Sequence, residues 1–269
     1  MKFKVFIFFY CFIFISFLYS YDKIVSLSPY ITENIFDLES GDSIIGATSF
    51  CNIEPRYKNK ITIIGGMINP NYEAILLLKP DVIFVSIEDQ NPNIIKNLRK
   101  ISKVEIFKAN RNFCDIKNNY LYLAKILNKE SLAKDKIDHI ETKLRLKKLN
   151  KSNFFNKKKV FFVIQENPLI TAGRDTFFND MLNYIGLENV VKESHSRYPL
   201  YSFEKLIIEK SDIFVYLTSE RRKIKKKSEF LKSSFDIFLD PDICSRPTPK
   251  NFLKSVEILY DEIKRVYRK

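Results

Sequence analysis

The sequence has no tryptophan, two histidines, four cysteines and six glycines in 269 residues. Each shortage excludes something. So few glycines leave little for phosphate-cradling loops, and no GxGxxG, P-loop, GxSxG or HExxH string occurs. His139 falls in a predicted helix and His195 in a predicted loop. Two distant imidazoles do not make the converging cluster that a bare zinc or manganese ion needs. The cysteines, at 11, 51, 114 and 244, lack the CxxC spacing of a zinc or redox motif. Of the three beyond residue 20, an oxidising compartment would allow one disulfide, Cys51 with Cys114 if their loops meet, and leave one thiol over.

What is present begins with a leader. Lys2 and Lys4 precede a run, 5–18, broken by one polar residue, Ser16, and Ser20 offers a small residue before a polar stretch. This is the layout of a secretory signal peptide over 1–20. The run is shorter than the ~20 residues of a spanning helix. Cys11 lies inside it rather than at its end, unlike a lipoprotein cysteine. A soluble, exported, periplasmic protein is expected. The remaining chain, roughly 250 residues, suffices for two lobes. The formal charge of +13 could suggest nucleic acid or an anionic surface. Its lysines are scattered over solvated positions, however, and export argues against nucleic acid. The dense run at 221–227 reads as an exposed loop.

Periodicity gives the architecture. Residues 23–27, 43–48, 61–64, 82–85 and 104–107 read as short apolar strands. Segments 29–38, 72–78 and 94–101 read as helices, and Pro80 ends the second of these. The order β-α-β-β-α-β-α-β favours an α/β layer with a parallel sheet. After a helix over 116–127, a long one starts near Glu130 with Ala133, Ile137, Ile140 and Leu144 on one stripe. The pattern then restarts: strand 159–165, helix 176–185, helix 203–208, strand 213–217 and a final helix 251–268. The predicted fold is α/β, with two halves at 21–128 and 154–269 joined by a connecting helix over 129–153. The phrases Tyr72-Glu73-Ala74-Ile75 and Phe203-Glu204-Lys205-Leu206 hint at an internal repeat.

In that order, the phrases KIVSLSPYITENIF, GATSFCNIEP, GGMINPNYEAILLLKPDVIFVS, PLITAGRDTFFNDMLNYIGLENVV, YPLYSFEKL and SRPTPKNF resemble the helical-backbone (class III) substrate-binding proteins of ABC importers. The similarity spans most of 23–265 and is nearest the cobalamin-binding branch, beside the ferric-siderophore and haem branches. It implies two Rossmann-like lobes with mainly parallel sheets, a rigid connecting helix and a ligand cleft between the lobes, and a carrier, not an enzyme, with no intrinsic cofactor. The carrier would be a monomer that takes up a metal chelate and hands it to a permease and, through that, to its ATPase. It implies that Glu73 and Glu204 dock on permease arginines; the plain alternative is that each only favours its helix N-terminus. It implies a ligand site with Phe50 against a flat macrocycle and the loop from Asp242 through Ile243, Cys244 and Ser245 to Arg246 contacting it. Tyr198 stands where a tryptophan is common, and Tyr30, Met67 and Ser86 fall on cleft-side loops. Phe50 could instead be lobe core, and Arg246 could brace its own loop.

The chain departs from that branch in lacking pocket tryptophans, Met67 and Ser86 standing at two such places. It also lacks a cysteine pair, Ile185 standing at one of its positions. Cobalamin is the first expectation, then a ferric siderophore, then haem. His195 is a weak candidate to reach the chelated metal, and more simply a loop residue. Two rival classes remain: an exported enzyme on the same two-lobed frame, and a sensor or adhesin that lost transport.

Overall fold

Five short strands build the first sheet: β1 (Ile24–Ser26), β2 (Ile44–Ala47), β3 (Thr62–Ile63), β4 (Val82–Ser86) and β5 (Lys103–Phe107). They lie in the order β3-β2-β1-β4-β5, every pair parallel. β1 and β4 are buried along their whole length, as a central parallel strand covered on both faces must be. The covering helices are α1 (Pro29–Asp37), α2 (Tyr72–Leu78) and α3 (Pro92–Leu98). Pro29 and Pro92 sit in first turns, where the missing N–H has no helical partner to lose. The structure, a computed structural model, describes residues 21–149, 158–192, 196–218 and 235–267. The predicted leader, residues 150–153 of the connecting helix, His195 and the basic run 221–227 lie outside these.

The second sheet has the order β11-β10-β6-β9, again all parallel. Its strands are β6 (Lys159–Val163), β9 (Glu188–Asn189), β10 (Ile213–Leu217) and β11 (Phe235–Leu239). A separate antiparallel pair, β7 (Gln165–Glu166) with β8 (Leu169–Ile170), follows β6. The helices of this half are α6 (Phe177–Ile185), α7 (Phe203–Glu209), α8 (Pro241–Cys244) and α9 (Pro249–Tyr267). The sequence reading had one strand across 159–165; the chain breaks it at Ile164, whose N–H turns to the Ile170 carbonyl. It also had a plain loop over Asp242 to Arg246. Asp240 instead caps a one-turn helix there, accepting from the Asp242 N–H at 2.9 Å.

Two helices join the halves: α4 (Phe113–Ile126) and α5 (Glu130–Leu149). Ala133 and Ile137 of α5 sink into the first core, Ile140 and Leu144 into the second. α4 does the same in reverse, with Tyr120, Leu123 and Ala124 in the first core and Phe113 and Ile116 in the second. The rod expected at 129–153 is therefore half of an antiparallel pair, and each member is anchored at both ends.

The internal repeat is deeper than two matching phrases. Asn71 caps α2 and Ser202 caps α7, each accepting from the N–H three residues on. Both helices end on a lysine with positive φ, Lys79 at 49° and Lys210 at 47°. Then Asp81 and Asp212 clamp the start of the neighbouring strand. The Lys23 N–H donates to Asp81 at 2.9 Å and the Lys159 N–H to Asp212 at 2.8 Å.

Candidate ligand-binding cleft

In an open α/β sheet the space beyond the carboxyl ends of the strands is free of covering helices. Here the two sheets face each other across such a space. A cavity of about 470 Å³ opens between them, within the range of small-molecule sites. The first lobe contributes Ser28, Pro29, Tyr30, Phe50, Met67, Glu88 and Asp89. The second contributes Phe177, Arg197, Tyr198, Asp242, Ser245, Arg246 and Pro247.

Local structure explains each wall. Phe50 follows β2 in a turn closed by the Cys51 N–H on the Thr48 carbonyl at 3.0 Å. Its ring is 56% exposed, so it is cleft wall rather than lobe core. Met67 rides a loop that needs Gly65 at φ +88°, where an added Cβ would stand 2.8 Å from the Asn69 carbonyl. Arg197 and Tyr198 belong to a strap hydrogen-bonded along β8 and its continuation: Gly173 N–H to Arg197 O at 2.8 Å, Tyr201 N–H to Leu169 O at 2.9 Å. Tyr198 rests edge-on against Phe178, ring centres 6.5 Å apart.

The charges are nearly all spoken for. Arg246 crosses the gap: its guanidinium meets Glu33 of α1 at 2.7 Å, Asp242 at 2.9 Å and the Phe50 carbonyl at 3.4 Å. Asn251 binds the other Glu33 oxygen at 2.8 Å. Arg246 thus ties lobe to lobe and does more than brace its own loop. At the other side Arg197 pairs with Glu88, which also accepts from the Asn110 N–H. Asp89 has no cation partner among the described residues; it accepts from Ser28 Oγ at 2.7 Å. Burial, with the Glu88 charge adding to it, lifts the Asp89 carboxyl above the usual carboxylate range.

Tyr30 is 5% exposed and its hydroxyl is fully buried without a hydrogen bond. Ser86 and Asn110 lie alongside without reaching bonding geometry, and burial pushes this phenol up despite them. Tyr198 keeps 37% of its surface open because its ring lines the cavity. The crowding walls still push its phenol up, and the carboxylate of Glu88 adds to the shift.

A family profile described as periplasmic binding protein matches residues 24–237. The chain belongs to the periplasmic binding protein family. A vitamin B12-binding protein of Vibrio parahaemolyticus is 21% identical over 252 residues, 91% of each chain. An uncharacterized ABC transporter substrate-binding lipoprotein of Bacillus subtilis, YvrC, is 26% identical over 254 residues, 90% of this chain and 79% of its own. Among solved structures, the periplasmic vitamin B12 binding protein BtuF of Vibrio cholerae superposes with a TM-score of 0.76 at 20% identity, covering 93% of this chain and 99% of that one. The periplasmic heme binding protein HutB of the same species gives 0.78 at 17%, covering 90% and 98%. At such identities the likeness is one of fold, two lobes about a cleft.

Within this periplasmic binding protein the structure gathers Tyr30, Phe50, Met67, Tyr198, Asp242, Ser245 and Arg246 on one cavity. The other three residues named from the sequence lie elsewhere. Ser86 is wholly buried at the end of β4, its hydroxyl accepting from the Glu88 N–H at 3.2 Å. Ile243 faces a second inter-lobe groove, lined also by Glu33, Asp37 and Lys136. Cys244 is 1% exposed in the second core, bonded by the Ser255 hydroxyl at 3.2 Å, with its thiol pushed up to about 11 by burial. Alternation within the one-turn helix decides this: Asp242, Ser245 and Arg246 look out while Cys244 looks in. Cys51 and Cys114 are both free. Cys51 neighbours the hydroxyls of Thr32 and Thr48, and Cys114 is exposed at the start of α4.

Glu73 and Glu204 sit in the first turns of α2 and α7, exposed and outside the cleft. Sequence reasoning missed Ser28, Pro29, Glu88, Asp89, Phe177, Arg197 and Pro247. A signal existed for Glu88 and Asp89, which follow the carboxyl end of β4, and for Arg197, the neighbour of Tyr198. Among the described residues no three His, Cys, Asp or Glu gather to hold a bare metal ion. No helix among them is long and apolar enough to cross a membrane.

Proposed function

We propose that this chain is the exported, periplasmic substrate-binding component of an ABC importer. It captures a bulky metal chelate and delivers it unaltered to a membrane permease. The reading is carried by one feature: a cavity walled by Phe50, Met67 and Tyr198 in which both arginines are already ion-paired. Broad apolar walls suit a flat macrocycle. With no free cation among the described lining residues and Asp89 facing in, the cavity suits a neutral ligand rich in hydrogen-bond donors. Cobalamin, with its amide side chains, answers that description. Haem, whose two propionates seek unpaired cations, answers it less well. Axial ligation by tyrosine works through the anion, and burial shifts the phenols of Tyr30 and Tyr198 away from that form. A ferric siderophore stands second, its charge depending on type. The relatives named above are binding proteins, which supports a carrier over an enzyme.

Titration of the purified chain with cobalamin, haem and ferric siderophores, followed by calorimetry and tyrosine fluorescence, tests the assignment. Saturable one-to-one binding of cobalamin, weakened about tenfold by Arg246→Lys, is the expected result. Tight haem binding without cobalamin binding would transfer the assignment to haem.

A further inference from the structure

The helices α2 and α7 hold equivalent places in the two lobes, and both leave apolar side chains in solvent. Leu76 is 58% exposed and Leu77 81%; Ile207 is 60% and Ile208 78%. The values match pair by pair although the residues differ. Each pair lies three and four positions after a glutamate, Glu73 or Glu204, so acid and apolar groups share one helix face. The cores already take Ile75 and Leu206 from the same turns. A lone exposed leucine needs no explanation. The same pair at the same offset from the same acid, in both lobes, does.

Resting on the reading of Glu73 and Glu204 as docking residues, we infer that each apolar pair is the greasy half of a docking surface whose acidic half is the neighbouring glutamate. The occupant is a membrane permease offering two equivalent sockets, each a basic side chain beside an apolar recess. Charge supports this partner. The chain carries a formal +13, yet these two carboxylates have no ion pair among the described residues. The repeat supports it too, because two matched surfaces on one rigid body fit a partner with two matched sites. The roles divide. Charges steer approach and set orientation, while buried apolar anchors hold the complex and govern its dissociation.

The test is capture of the whole chain by its permease–ATPase complex in lipid nanodiscs, with cobalamin titration of every variant to check the cleft and fold. Leu76→Ser with Leu77→Ser, and separately Ile207→Ser with Ile208→Ser, should each weaken capture about tenfold or more through faster dissociation. Glu73→Gln and Glu204→Gln should slow association and flatten its salt dependence. Apolar variants captured within about twofold of the parent, while the glutamate variants fail, would overturn the inference and leave the docking reading standing. Unchanged capture by all four would sink both. Loss in the apolar variants alone would keep the greasy surface and sink the acidic role. Retention by empty nanodiscs, or self-association in sedimentation that the serine variants abolish, would assign the pairs to lipid or to a second copy and overturn the inference.

Discussion

Asp89 shows how much a single side chain can hold against solvation. Its carboxyl sits in the cleft beside Glu88 with the Ser28 hydroxyl as its hydrogen-bond donor among the described residues, and burial raises its pKa above the ordinary 3.8. The folded chain therefore holds this proton more tightly than the unfolded chain does. The stability this gives is fully present below the unfolded value and is lost as pH rises through the raised native one. Asp89→Asn keeps an acceptor for Ser28 and removes the charge. Its midpoint in thermal unfolding should exceed the parent's near pH 7 and match it near about pH 3, where both are neutral. A lower midpoint near pH 7 would mean that the ionised carboxylate is stabilising. At this scale the sequence was legible in part. Phe50 lies three residues past β2, Arg246 just past the one-turn helix α8 and Tyr198 in the strap beside β8; the resemblance, and no local period, brought all three to the cleft. Cys244 and Ser86 could not be separated from their neighbours, since one residue's rotation in a turn decides between wall and core.

Among elements, the antiparallel pair α4 and α5 does the most. Tyr120 of α4 donates to Asp37 of α1 at 2.5 Å, and Lys136 of α5 reaches the other oxygen of the same carboxylate at 2.9 Å. One acid thus pins three helices, beside the second inter-lobe groove. Tyr120→Phe keeps the buried ring and deletes that bond. Denaturant unfolding should show a loss of about 1.5 kcal/mol, the worth of a bond to a charged acceptor, with ligand affinity unchanged. Affinity lost with no stability change would place Tyr120 in binding rather than bracing. Helical periodicity exposed α5 plainly, through Ala133, Ile137, Ile140 and Leu144. It could not show that α4 spans both cores, because its apolar residues obey the same period whichever core they enter. The short strands β7, β8 and β9 carry too few residues for any alternation to register.

For the whole molecule, two helices rooted in both cores and two ion pairs across the cleft leave little for the lobes to swing on. A spin label on each lobe, at the exposed positions Lys100 and Glu188, should report a distance that changes by no more than about 1 Å when cobalamin binds. A shift several times larger would require a hinge that the shared cores do not offer. Such stiffness makes the cleft largely preformed, so binding loses little to ordering. It also keeps Glu73 and Glu204 at a fixed separation, which the proposed two-point docking requires.

By itself the sequence determined the layering. Apolar runs of strand length between amphipathic helices admit a parallel sheet covered on both faces, and Pro80 and Gly186 punctuate those elements by backbone chemistry that acts within a few residues. Tertiary structure alone decided which residues meet across the gap. Arg246 finds Glu33, and Arg197 finds Glu88, over more than a hundred residues of chain. Such pairings depend on where two separately folded sheets are held by α4 and α5, a geometry set by side-chain packing in both cores that no local period records.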